Sequence, residues 1–309
     1  MDLRLARSPW IFLSSLLLAT VAAIPAQAAV DHQKAATRQY SDVQVFLREL
    51  VKSHPKQVQL FTIGQNEAGD AIEGVKIGSG AISNLVVSTH HGNEYGSTEV
   101  ALAVADSLAQ NPLKGQAVFV IPVLNVSGYN HRVRWEILSG HSWDPNRNYP
   151  GPCGTEGPFT LKSTQALASF IDHEKIVTSA TLHTFHPAVV YPWGMGTPDL
   201  STPYDDLFKE MVQGAALESK YPTGNSTELI YAANGAYEDY AFWKHGIWSI
   251  LFELGFSHDP SVADVQATAQ VNVPGIRRML EQAPRTRAEK HGFSGTCDDS
   301  RKSMDRHDE

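Results

Sequence analysis

The 309-residue chain has only two cysteines, Cys153 and Cys297. A structural metal site built from thiolates needs more, so that class is excluded. In an oxidising compartment the pair can form one disulfide tying the C-terminal tail to the body. Basic charge is also short: 25 Lys and Arg stand against 33 Asp and Glu, a formal net charge of -8. Nucleic-acid binding needs a basic surface that displaces counterions from phosphate, and only short mixed runs exist here, such as that around Arg285, Arg287 and Lys290. Beyond the N-terminus no stretch approaches the roughly 20 apolar residues of a membrane span. Repeats, low-complexity linkers and sharp composition shifts are missing too. By length, one large α/β domain or two small domains both fit, and residues 291–309 read as a polar tail.

What is present begins with Arg4 and Arg7, an apolar run over 11–24, and Ala26-Gln27-Ala28 in small-x-small spacing. This is the pattern of a cleavable signal over residues 1–28. It implies a secreted or periplasmic protein with no membrane contact after cleavage. An uncleaved membrane anchor is the competing reading. The remainder, with 42% hydrophobic and 19% charged residues overall, is ordinary for a protein with a large core.

Apolar residues at helical spacing mark 41–53, and strand patterns mark 58–63 and 71–77 around a turn at 66–70. Further buried-strand patterns run over 84–89, 117–124, 177–182 and 246–252, with helical patterns at 97–110, 162–174 and 204–220. Strands alternating with helices imply an α/β sheet covered on both faces. His90-His91, Asn125, His183 and Glu253 all fall at the ends of these strands, the edge where open α/β sheets place their ligands.

His91-Gly92-Asn93-Glu94 puts two possible metal ligands three residues apart, so both can reach one ion from the start of a helical turn. His183 can close the site from a neighbouring strand. Two histidines and one carboxylate, with a fourth position for water, form the ligand set of a hydrolytic zinc site. Such an ion polarises a carbonyl and lowers the pKa of its water to about 7. The tetrapeptide alone is weak among 13 His and 33 acidic residues, and a surface or structural role is its ordinary explanation. His90 and His186 compete as ligands. Neighbours on a strand face opposite sides, so one of His90 and His91 faces the site, and the spacing to Glu94 selects His91.

From residue 38 to 280 the chain resembles the zinc metallocarboxypeptidases of the carboxypeptidase A/B type, in five ordered blocks. His91-Gly92-Asn93-Glu94 matches the zinc motif. Pro122-Val123-Leu124-Asn125-Val126-Ser127-Gly128-Tyr129 is similar to P-x-x-N-P-D-G-Y, and Asp144-Pro145-Asn146-Arg147-Asn148-Tyr149-Pro150 to D-x-N-R-N-F. His183-Thr184-Phe185-His186 with Tyr191-Pro192-Trp193-Gly194 forms the fourth block. The fifth joins Ile230-Tyr231, Asn234-Gly235 and Asp239-Tyr240 to Phe252-Glu253-Leu254.

The resemblance implies a three-layer α/β/α fold with a mixed, mostly parallel twisted sheet and helices on both faces. It makes 29–290 the catalytic domain of a monomer holding one Zn2+, acting on a peptide with a free C-terminal carboxylate. His91, Glu94 and His183 then bind zinc. Asn146 and Arg147 grip the terminal carboxylate, as a bidentate guanidinium suits. Tyr231 closes over the substrate. Glu253 is the general base that takes a proton from zinc-bound water and passes it to the leaving amine. Arg134, or else Arg132, polarises the scissile carbonyl. Glu238 falls at the pocket floor, where a carboxylate favours a C-terminal Lys or Arg, or an amino-bearing diaminopimelate. Taken singly, Arg147, Tyr231, Glu238 and Glu253 could equally be surface or core-edge residues.

The chain departs from this pattern at Val126-Ser127, where Pro-Asp is usual, and at Asn93, where many carboxypeptidases have arginine. His-Gly-Asn-Glu is similar to the deacylases related to succinylglutamate desuccinylase and aspartoacylase, so an N-acyl-amino-acid deacylase is the alternative. Murein-peptide amidases also lack that arginine. A non-catalytic binder of peptide termini is a further alternative, which the presence of Glu253 and all three ligands disfavours.

Overall fold

The computed structural model describes residues 30–155, 157–196 and 201–297. The segment 1–28, expected from its sequence to be a cleavable signal, and the tail beyond Cys297 lie outside the described residues. The strands are β1 (Val58–Gln65), β2 (Ala71–Ile77), β3 (Ile82–Ser88), β4 (Gln116–Ile121), β5 (Glu136–Leu138), β6 (His141–Trp143), β7 (Thr178–His183), β8 (Ala188–Tyr191), β9 (Thr223–Asn225) and β10 (Trp248–Glu253). The helices are α1 (Tyr40–Ser53), α2 (Tyr95–Gln110), α3 (Val126–His131), α4 (Lys162–His173), α5 (Asp205–Ala215), α6 (Ser226–Leu229), α7 (Tyr237–His245) and α8 (Val262–Gln282).

Eight strands form one sheet in the order β1-β2-β4-β3-β7-β10-β8-β9. Its centre, β4-β3-β7-β10, is parallel, and β1, β2 and β8 run antiparallel to their inner neighbours. The central strands are buried almost throughout because helices cover both faces. Residue alternation sorts those helices. On β2, Glu73 pairs with Arg48 of α1 at 3.2 Å. The space over its neighbour Gly74 is filled by Phe61, which stacks on Phe170 of α4 at 5.1 Å. Hence α1 and α4 cover opposite faces. On α1's face, Asn84 of β3 donates to the Leu280 carbonyl of α8, and Ser88 donates to Ser97 of α2 at 2.9 Å. This is a three-layer α/β/α arrangement.

Local chemistry explains several boundaries. The β1–β2 turn closes because the Asp70 amide donates to Asn66 Oδ1 at 2.8 Å while Gly69 takes φ +88°. The run 84–89 ends one residue early as a strand: Thr89 has φ 60° and turns the chain out of the sheet. α8 continues through Pro274, which the sequence pattern would have made a stop. Cys153 and Cys297 are disulfide-bonded, closing a loop across 144 residues. Such a bond stabilises by restricting the unfolded chain. No helix among the described residues is long and apolar enough to cross a membrane.

The loop after β3 presses against α3. A Cβ on Gly92 would lie 2.0 Å from the Gly128 carbonyl carbon, a backbone atom that cannot yield. Gly92→Ala is therefore expected to displace residues 91–94, lowering stability by about 3 kcal/mol and abolishing tight metal binding. Denaturant unfolding and metal content check this; wild-type values for both would contradict the packing described.

Candidate active site

Three strand ends and one crossing loop build the site. After Thr89 the chain is stitched to the end of β4's connection: the Leu124 and Asn125 amides donate to the Ser88 and Thr89 carbonyls, and Asn125 Nδ2 donates to the His90 carbonyl. This fixes a turn in which the Glu94 amide donates to the His91 carbonyl, and Glu94 becomes the N-cap residue of α2. His183 is the last residue of β7, and its register partner on β10 is Glu253. Parallel pairing thus places ligand and acid side by side.

His91 Nδ1 lies 2.7 Å from Glu94 Oε1, His183 Nδ1 lies 3.0 Å from Glu94 Oε2, and the two Nδ1 atoms are 3.2 Å apart. All three side chains are buried. Two imidazole nitrogens facing each other across a carboxylate call for a shared cation. Ligand atoms about 2.0–2.2 Å from a tetrahedral zinc lie roughly 3.3 Å from one another, close to this spacing. The residues fit the ion.

Asp144 backs the cluster. Its Oδ1 meets His91 Nε2 at 3.0 Å, and its Oδ2 accepts from Arg134 Nε at 3.0 Å and Nη2 at 2.7 Å. A carboxylate on the outer nitrogen fixes the ring's tautomer and orientation. Burial alone would raise the Asp144 carboxyl, but His91, Arg134 and Arg147 outweigh it and hold it well below the usual range. Burial likewise opposes ionisation of Glu94, and His91 and His183 overcome it, so its pKa is lowered.

The two candidate arginines part company. Arg134 Nη1 is 4.0 Å from Glu94 Oε1, at the metal cluster. Arg132 caps α3 in the left-handed conformation, stacks on Tyr95 and Tyr129, and donates to the carbonyls of Ala35, Ala36 and Arg38. It is engaged with the N-terminal segment instead. The competing histidines differ as well. His186 is exposed. His90 does not point to the opposite face, because the strand has already ended. Its ring stacks behind His183 at 5.4 Å and Nε2 contacts the Tyr149 hydroxyl at 3.0 Å. Burial, with His183 and His91, pushes its pKa well down.

A cleft lined by His91, His183 and Glu253 opens here. The short 3-10 helix Pro145–Arg147 delivers Asn146 and Arg147 to it, with Asp144 as its cap. Asn146 Oδ1 accepts from the Tyr237 amide at 2.9 Å, and its Nδ2 faces His183. Arg147 Nη2 donates to the Tyr231 hydroxyl at 3.1 Å, and Tyr231 is half exposed. Glu253 lines the cleft with Oε2 buried and without a hydrogen-bond partner; burial, then Glu94, raises its pKa well above the ordinary value. Glu238 lines the far end, and its Oε1 is also buried without a partner. Beside it Asp239 accepts from the Gly194 amide at 2.8 Å, and burial pushes its carboxyl up to about 8.

Of the residues named from sequence, His91, His183, Glu253, Asn146, Arg147, Tyr231 and Glu238 line this cleft, and Glu94 and Arg134 adjoin it through the His91 and His183 cluster. Sequence reasoning gave no role to Asp144 or His90. Asp144 stood inside the third block, two residues before Asn146; the partner of His91 becomes visible only when that turn is folded against the β3 loop.

The family described as zinc carboxypeptidase matches residues 43–275. Among curated relatives, carboxypeptidase O of Bos taurus is 29% identical over 208 residues, covering 55% of this chain and 54% of that protein. Carboxypeptidase B of Astacus astacus is 22% identical over 250 residues, covering 67% of this chain and 82% of its own length. The chain spans about half the length of the first of these relatives. In structure it is similar to bovine thrombin-activatable fibrinolysis inhibitor bound to tick carboxypeptidase inhibitor, with TM-score 0.72 at 18% identity, covering 78% of this chain and 95% of that one. The match over residues 43–275 shows that this chain belongs to the zinc carboxypeptidase family of hydrolases.

Proposed function

We propose that the protein is a zinc-dependent carboxypeptidase that removes the C-terminal residue of peptides after export from the cytoplasm. The carrying observation is that one cleft is lined by His91 and His183 of the His91, Glu94 and His183 cluster, by Glu253, and by Arg147 with Tyr231. A zinc ion held by His91, Glu94 and His183 supplies Lewis acidity to the scissile carbonyl and acidifies water.

The chain's own residues divide the remaining work. Arg147 and Asn146 hold the terminal carboxylate, with Tyr231 exchanging its contact with Arg147 for one with the substrate. Arg134, rather than Arg132, faces the oxygen on which charge develops; a donor of this kind is worth on the order of 3 kcal/mol. Glu253 takes up the proton released by attacking water and delivers it to the leaving amine. The unpartnered Glu238 carboxylate supports a preference for a cationic C-terminal side chain.

Asn93 is uncharged where a peptide-contacting arginine is usual, which keeps an N-acyl amino acid and a murein peptide in the test panel. The enzyme is expected to cleave a blocked dipeptide ending in Arg faster than one ending in Phe, with Glu238→Ala reversing that order. Cleavage of the N-acyl amino acid alone would overturn the peptidase reading. Chelation abolishes activity, and Glu253→Gln lowers kcat by about a thousandfold or more while retaining zinc. Full activity in Glu253→Gln would contradict the assigned base.

A further inference from the structure

Arg134, Asp144, Asn146 and Arg147 lie on one short segment, and between the first two the chain makes the small hairpin β5–β6. The hairpin projects outward: Ile137 is 59% exposed, and His141 and Ser142 are exposed. Its tip cannot set the geometry at its base, where Arg134 and Asp144 meet at 2.7 Å. Two wholly buried side chains join the segment to the first turn of α4. Asn148 Oδ1 accepts from the Leu161 amide at 3.0 Å and the Thr164 hydroxyl at 2.8 Å. Glu136 Oε2 accepts from the Ser163 hydroxyl at 2.5 Å.

We infer that Glu136 is a positioning residue: its bond to Ser163 fixes the base of the hairpin, and so sets the Arg134–Asp144 pair against His91 and Glu94. Asn148 secures the far end of the segment, after Arg147. Glu136 secures the near end, two residues after Arg134. Losing it frees the strand that leads out of Arg134, and the Asp144 carboxylate then has no fixed guanidinium to hold it on His91 Nε2.

A buried acid in this place has a second consequence. Glu67 faces it from the turn between β1 and β2, through its carboxylate and its backbone. Lys162 is turned to Glu67, through its amide at 2.8 Å and its ammonium at 3.5 Å. Tyr149 also faces Glu136. Among the described residues no cationic side chain pairs with Glu136, and its Oε1 has no hydrogen-bond partner. Burial pushes its carboxyl up to about 7, with the Ser163 bond opposing. A carboxyl whose folded pKa is raised favours the fold when protonated. Its contribution is full below the ordinary value of 4.5 and is lost as pH rises to about 7.

The inference rests on the proposed peptidase reading for the meaning of Arg134, but its test does not need substrate alone. Glu136→Gln keeps an oxygen for Ser163 and cannot ionise; Glu136→Ala and Ser163→Ala remove the bond. Both truncations are expected to weaken zinc binding about tenfold in a chelator titration and to lower kcat about tenfold with KM within about twofold, while Glu136→Gln restores both. Relative to wild type, the melting temperature of Glu136→Gln should gain little near pH 5 and about 4 °C or more near pH 8.5. Unchanged zinc affinity and kcat in folded Ser163→Ala, or failure of Glu136→Gln to restore them, would overturn the inference. If the wild type cleaves no peptide, the functional reading fails, and zinc affinity and melting still decide the role of Glu136.

Discussion

Asp144 serves two partners of different purpose with one carboxylate. One oxygen orients His91, a metal-ligand candidate, and the other takes two bonds from Arg134. A carboxylate with 10% side-chain exposure is unfavourable without partners, and here each partner also needs it. The ring of His91 is fixed by the ionised acid, and the acid is kept ionised by His91, Arg134 and Arg147 together. The candidate metal cluster, the arginine beside it and the turn that Asp144 caps are therefore one unit.

The sheet supplies the other half of the constraint. Three parallel strands end at the same edge, and their register brings His183 and Glu253 together without any loop between them. Rigid strand ends hold an acid near a ligand more closely than flexible loops can. The residues expected to meet the substrate, Arg147, Tyr231 and Glu238, come instead from turns and a helix start around the cleft. The candidate catalytic residues thus sit at the sheet edge and the candidate recognition residues around it, which is the usual division in α/β enzymes.

Much of this was legible in the sequence because strong signals coincide. Apolar runs ending in His91, His183 and Glu253 gave the strand-end edge, and the spacing of His91 to Glu94 gave a metal pair. Other features depend on geometry that spacing does not encode. Arg132 and Arg134 are near-equivalent on paper; the left-handed cap at Arg132 turns its side chain back to the N-terminal segment. The strands β5, β6, β8 and β9 have three or four residues each, too few to show alternation. The alternation argument excluding His90 failed because the strand stops at Ser88, although His90 still remains outside the cluster, held by Tyr149. α8 was hidden by Pro274.

The central claim is that His91, Glu94 and His183 converge on one zinc ion with an open position. X-ray absorption at the zinc edge of the purified protein tests it most directly. The account predicts two imidazole nitrogens at about 2.0–2.1 Å, carboxylate and water oxygens at about 2.0–2.2 Å, and no sulfur. A third imidazole in the shell, or a protein that retains no zinc, would contradict it.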